Sequence, residues 1–168
     1  MNKVKKILLL IVVAVVVIQF FHPEKNVASG VQVNNIAAVF ATPEEVKTIL
    51  AKSCNDCHSN NTIYPWYNNI QPVAWWLNHH VNEAKEKLNF DEFASYSPRR
   101  QYNKLKETEE LLNENEMPLA SYTFIHRDAV LTVEQKEALI SWTKNIRKQM
   151  EATYPMDSLL RKKQNQKP

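Results

Sequence analysis

The sequence predicts an all-α fold, and three observations carry that expectation. Glycine occurs once in 168 residues, whereas sheets closed by tight turns draw on glycine repeatedly. Several stretches place apolar residues at helical spacing behind a helix-start signal. No run of alternating, β-branched strand character is found. Net charge is near balance at +3, and no basic stripe interleaved with aromatics appears, so nucleic acid is not an expected partner.

Residues 1–21 read as a signal-anchor or transmembrane helix. Lys3, Lys5 and Lys6 precede an unbroken apolar run over 7–18, which Gln19, Phe20 and Phe21 extend to an aromatic edge. Lysines ahead of such a run stay cytoplasmic, which exports the remainder of the chain. The expected address is the inner membrane, single-pass, with the domain facing the periplasm. Cleavage at Val27-Ala28-Ser29, giving a soluble periplasmic protein, is the alternative. Residues 22–41 lack a sustained period and carry Pro23, Gly30, Asn34 and Asn35, and are expected to be a flexible tether.

The domain is expected over 42–150. Thr42-Pro43-Glu44-Glu45 is a helix start, with Thr as N-cap, Pro at the first helical position and Glu placed for a capping box. Val46, Ile49 and Leu50 then fall on one face, and the helix runs into Cys54. The 59–70 stretch is a polar, aromatic loop, and Tyr64, Trp66 and Tyr67 are read either as a small core cluster or as walls of a binding site. Pro72 opens a second helix to about Leu88, with Val73, Trp76, Leu77, His80, Val81, Ala84 and Leu88 on its stripe. Ser97-Pro98 opens a third, ending near Asn115, whose mixed charges read as a solvated face or a docking surface for a redox partner. Thr132 and Gln135 make a capping box for the last long helix, with Leu139, Trp142, Thr143 and Ile146 buried. Residues 151–168 are expected to be a basic tail.

The most informative stretch is Cys54-Asn55-Asp56-Cys57-His58. C-x-x-C-H is the spacing that attaches a c-type haem. Two thiols can add across the two vinyl groups of one porphyrin, and the adjoining imidazole can then ligate the iron. These are the only two cysteines, so one covalent haem is the limit. A zinc site, a dithiol redox pair and a structural disulfide compete for the same residues. The first lacks two further ligands at the usual spacing, the second lacks a surrounding βαβ pattern, and the third leaves His58 without a role. Met117, in the loop Glu116-Met117-Pro118, is the best-placed soft ligand for a second axial position. His79 or His80 is the alternative sixth ligand.

Together these motifs resemble the cytochrome c-like haem-binding domain of small bacterial envelope proteins. The resemblance covers about residues 42–150. It rests on the lead-in helix, the Cys54–His58 motif, the Met117-Pro118 loop and Leu131-Thr132-x-Glu134-Gln135 leading to Trp142. It implies a cytochrome c-like helical domain around one haem c, with thioethers at Cys54 and Cys57 and iron ligation by His58 and Met117. The expected function is a non-enzymatic, membrane-tethered electron carrier between membrane redox proteins. The alternatives are a haem-based sensor or small-ligand binder with an open sixth site, and a peroxidase-type enzyme using His79 or His80.

Overall fold

In a computed structural model, residues 2–160 are described, and they are helical throughout apart from loops and one isolated bridge between Val27 and Asn61. The order is α1 (Lys3–Ile18), α2 (Glu44–Ser53), α3 (Asn55–His58), α4 (Val73–Lys87), α5 (Pro98–Asn113), α6 (Ala120–Ile125), α7 (Val133–Thr153) and α8 (Met156–Leu159). Short 3-10 turns at Ile36–Ala38, Trp66–Asn69, Phe90–Ser95 and Arg127–Ala129 link them.

The core lies between α2, α5 and α7. Val46, Ile49 and Leu50 from α2 meet Tyr102, Leu105 and Leu112 from α5 and Leu139, Trp142, Ile146 and Met150 from α7. The spacing of these residues is what makes each helix one-sided, and burying that side is what keeps helices of this length formed. The capping box of α7 forms as expected: the Gln135 N–H donates to Thr132 Oγ1 at 3.2 Å and the Thr132 N–H to Gln135 Oε1 at 3.0 Å. At α2 the expectation fails by one residue. Pro43 is the N-cap and Thr42 Oγ1 donates back to the Phe40 carbonyl instead. Ser97 caps α5 as expected.

A membrane-crossing helix over 1–21 is not found. α1 has 16 residues, about 24 Å at 1.5 Å per residue, against roughly 30 Å of bilayer hydrocarbon. No helix among the described residues is long and apolar enough to cross a membrane. The reason is at its end. Gln19 does not extend the helix; its Oε1 accepts from the Gln71 N–H at 2.9 Å, and the Phe21 carbonyl accepts from Trp75 Nε1 at 2.8 Å. The amides of Gln19, Phe20 and Phe21 close the last turn on the carbonyls of Val16, Val17 and Ile18, while the Gln19 side chain and the Phe21 carbonyl bond to Gln71 and Trp75 at the start of α4 rather than to a further helical turn. No residue of α1 is buried, and its large apolar side chains up to Val17 are 48% (Val17) to 75% (Val4) exposed, with Ile18 half-buried.

Residues 22–41 are not a free tether. The Asn26 N–H donates to Tyr64 Oη at 2.7 Å, Asn26 Nδ2 to the Ser59 carbonyl at 2.9 Å, and Asn35 Nδ2 to Asp91 Oδ1 at 2.7 Å. Ile36 is 2% exposed and belongs to the core. Asparagines that read as turn residues act here as adhesive, because each side chain offers both donor and acceptor. The expected tail also begins folded: α7 runs to Thr153 and Leu159 is fully buried, while residues 161–168 lie outside the described residues.

Candidate haem site

α2 ends at Cys54, whose backbone (φ −130°) leaves helical geometry. The chain restarts at once as the single turn α3, with the His58 N–H on the Cys54 carbonyl at 2.9 Å. This break turns the next four residues back toward the end of α2.

Cys54 and His58 wall a cavity of about 800 Å³, its open mouth included, with Met117 and Pro118. Leu50, Leu88, Phe90, Leu111, Leu112, Leu139 and Trp142 give it an apolar lining, and Lys87, Lys104 and Glu107 stand among its charged residues. A smaller lobe adjoins it across Cys54, His58, Met117 and Pro118, and adds Cys57, His80 and Tyr122. All four residues singled out by sequence thus meet at one place: Cys54, His58 and Met117 border both lobes and Cys57 borders the smaller.

His58 Nδ1 lies 2.9 Å from the Leu88 carbonyl. A carbonyl only accepts, so Nδ1 carries the proton and Nε2 is left with its lone pair. Burial holds the imidazole below its ordinary pKa, opposed by the backbone carbonyls of Leu88 and Ala84 and assisted by the Lys104 charge. The ring is therefore neutral at pH 7, the state a metal ligand needs. Phe90 sets its ring edge against it, 6.3 Å between centroids.

The thiols have the opposite character from a redox dithiol. Burial, then the neighbouring Cys57, pushes Cys54 up to about 12; burial, then Asp56, pushes Cys57 up to about 11. Reactive dithiols depend on a lowered pKa. Nor does a zinc site emerge: among the described residues no group of three or more His, Cys, Asp or Glu side chains is placed to hold a metal ion.

The remaining candidates separate. His79 faces solvent beside Glu83 at 3.5 Å. His80 borders the smaller lobe, with Nδ1 on the Trp76 carbonyl at 2.9 Å. Tyr64, Trp66 and Tyr67 line neither lobe and form no core cluster; Trp66 is 76% exposed, and Tyr67 Oη pairs with His126 Nε2 at 2.8 Å. The aromatic wall is instead Phe90 and Trp142, brought in from distant parts of the chain. The α4 stripe is likewise only partly inward, since Trp76 is exposed while Val81 is buried.

Sequence reasoning missed the Leu88 carbonyl behind His58 and the contact of Tyr122 Oη with Asp56 Oδ2 at 2.7 Å. The i, i+4 spacing of Tyr122 and His126 marks one helical face, but nothing local names Asp56 as its partner. An apolar slot edged by two thiols, with an oriented neutral imidazole and a thioether on its walls, fits a haem. The family model for a haem-binding domain matches residues 13–145. No curated protein and no solved structure matched the chain.

Proposed function

Because the chain belongs to the haem-binding domain family, we propose that it is a single-haem, c-type electron carrier. In this reading Cys54 and Cys57 hold the haem by thioethers, His58 ligates the iron, and Met117 is the second axial ligand. One observation carries it: Cys54, His58 and Met117 share an apolar cavity while His58 is oriented through its other nitrogen.

A bound haem supplies a one-electron centre at its iron. The chain's own residues do the rest. The Leu88 carbonyl fixes the rotation of His58 and strengthens Nε2 as a donor. The Met117 thioether, being soft, favours the reduced metal and so raises the potential. Leu50, Phe90, Leu139 and Trp142 keep water from the centre, which limits rearrangement when charge changes. Electron transfer of this kind uses no catalytic acid or base. In this reading the basic start and the apolar α1 act in export, and the domain works outside the cytoplasm with membrane redox proteins as donor and acceptor. Release from membranes by carbonate would show that no membrane attachment persists.

The test is the protein produced with a haem-maturation system. Haem should stay with the polypeptide through denaturing electrophoresis, and should be lost from Cys54→Ser/Cys57→Ser. Retention of covalent haem by that double variant would refute the attachment. A sensor reading draws on the smaller lobe beside Met117. Rapid carbon monoxide binding by the reduced protein would favour the sensor, and its absence the carrier.

A further inference from the structure

Met117 lies in the short connection Met117-Pro118-Leu119 that leads from the end of α5 to α6, and the two ends of that connection are held very differently. On the α5 side the backbone closes on itself. Asn115 adopts the left-handed region (φ 59°), the Asn115 N–H reaches the Leu112 carbonyl at 3.3 Å, and the Glu116 N–H reaches Leu111 at 2.9 Å. This paired closure fixes the path of the chain as it enters Met117.

The other side has no such security. α6 is six residues long, buries none of them, and has no side-chain N-cap. A helix that short does not hold itself together in water, and the next buried residue along the chain is Ala129. Two side-chain contacts supply the tie. Tyr122 Oη donates to Asp56 Oδ2 at 2.7 Å, and His126 Nε2 pairs with Tyr67 Oη at 2.8 Å. The His126 ring stacks on Tyr122, 4.4 Å between centroids and 15° between planes, so the second contact backs the first. Asp56 lies inside the attachment motif, and its other oxygen is occupied by the Ile63 N–H at 3.0 Å.

We infer that Tyr122 and Asp56, backed by His126 and Tyr67, form a latch that holds the Met117 loop against the attachment motif and keeps the sixth iron position closed. This rests on Met117 being the second axial ligand. Tyr122 is then a positioning residue, acting through the loop and not on the metal. Its hydroxyl is the part that matters: a hydrogen bond to a carboxylate is among the stronger kinds, whereas the ring and its stack survive Tyr122→Phe.

The experiment uses the full-length, haem-loaded protein. Two readouts report the sixth position: the weak sulfur-to-iron band at the red end of the visible spectrum, and the rate of carbon monoxide binding after reduction. Tyr122→Phe should weaken the band and speed carbon monoxide binding by roughly 10- to 100-fold, the loss expected for a bond to a charged acceptor. Asp56→Asn, which leaves one uncharged acceptor oxygen for two donors, should speed binding by an intermediate amount, and Asp56→Ala by at least as much as Tyr122→Phe; a wild-type rate in Asp56→Ala overturns the latch. Wild-type behaviour of Tyr122→Phe, when Met117→Ala opens the site, overturns the latch and leaves the ligand assignment standing. Wild-type behaviour of Met117→Ala overturns the assignment itself, and the latch with it. Should Tyr122→Phe fail to take up haem, Tyr67→Phe decides: a smaller increase in rate supports the latch, and an unchanged rate overturns it.

Discussion

α5 and α7, which both contribute to the cavity wall, are joined by a largely buried ion pair, and removing its halves should have unequal effects. Arg147 Nη1 donates to Glu109 Oε2 at 2.8 Å, with the side chains 20% and 8% exposed. Arg147 Nη2 also donates to Tyr102 Oη at 2.9 Å, and that hydroxyl donates to Glu151 Oε1 at 2.6 Å. Arg147→Met keeps much of the aliphatic stem but strands the Glu109 carboxylate, which has little access to water. Stranding a buried charge costs about 3–5 kcal/mol, and the partial exposure of Arg147 argues for the lower end. At about 2–4 °C per kcal/mol for a chain of this size, 3 kcal/mol corresponds to a fall of about 6–12 °C. Glu109→Gln should cost less, because the guanidinium retains Tyr102 and reaches solvent. The double variant should lose less than the two single losses combined, since neither charge is then stranded. Thermal and urea melts followed by far-ultraviolet circular dichroism, on samples of equal haem content, measure all three. A loss below about 1 kcal/mol for Arg147→Met, or a larger loss for Glu109→Gln, would refute the reasoning from burial.

Three further outcomes are expected from the same physics. Ile36→Ala should destabilise the domain by about 2–4 kcal/mol in urea melts, because it empties a filled core position; a silent change would mean that residues 22–41 are not part of the cooperative unit. Thr132→Ala should cost about 1 kcal/mol through loss of the α7 cap, read as a lower melting temperature with the spectrum of the haem unchanged. In the haem-free chain the Cys54 thiol, with its pKa pushed up to about 12, should react with iodoacetamide at pH 7 far more slowly than the same thiol in urea. Its raised pKa stabilises the fold fully below the unfolded value near 9. That contribution is lost as pH rises toward the folded value. The haem-free chain should therefore weaken above about pH 9 while the haem-loaded protein, with its sulfurs in thioethers, does not; equal alkaline melting of the two would count against a protonated buried thiol.

Much of the site was legible because its chemistry is contiguous. Cys54, Cys57 and His58 lie within one short motif, so their spacing alone states what they can hold. Met117 was legible for a weaker reason, being a soft ligand in a loop after the helices that would enclose a haem. The helices of the domain were legible through capping and period: the Thr132–Gln135 box, Ser97 before Pro98, and the faces Val46-Ile49-Leu50 and Leu139-Trp142-Ile146 all stand in the structure.

What local pattern could not reach were the contacts between distant segments. Residues 22–41 look like a linker because no period runs through them, yet Asn26 and Asn35 find partners at Ser59, Tyr64 and Asp91, and Ile36 fills the core. Trp66 looks like a core residue by its size, yet it stands in solvent, and the cavity takes its aromatic wall from Phe90 and Trp142. The end of α1 is set by Gln71 and Trp75, more than fifty residues away. By itself the sequence determined which atoms can bind a haem and where helices begin, since both depend on neighbours a few positions apart. Only the tertiary structure decided how His58 is oriented, what encloses the cavity and what restrains Met117, because the Leu88 carbonyl, Trp142 and Tyr122 act on the motif across 30 to 88 residues of chain.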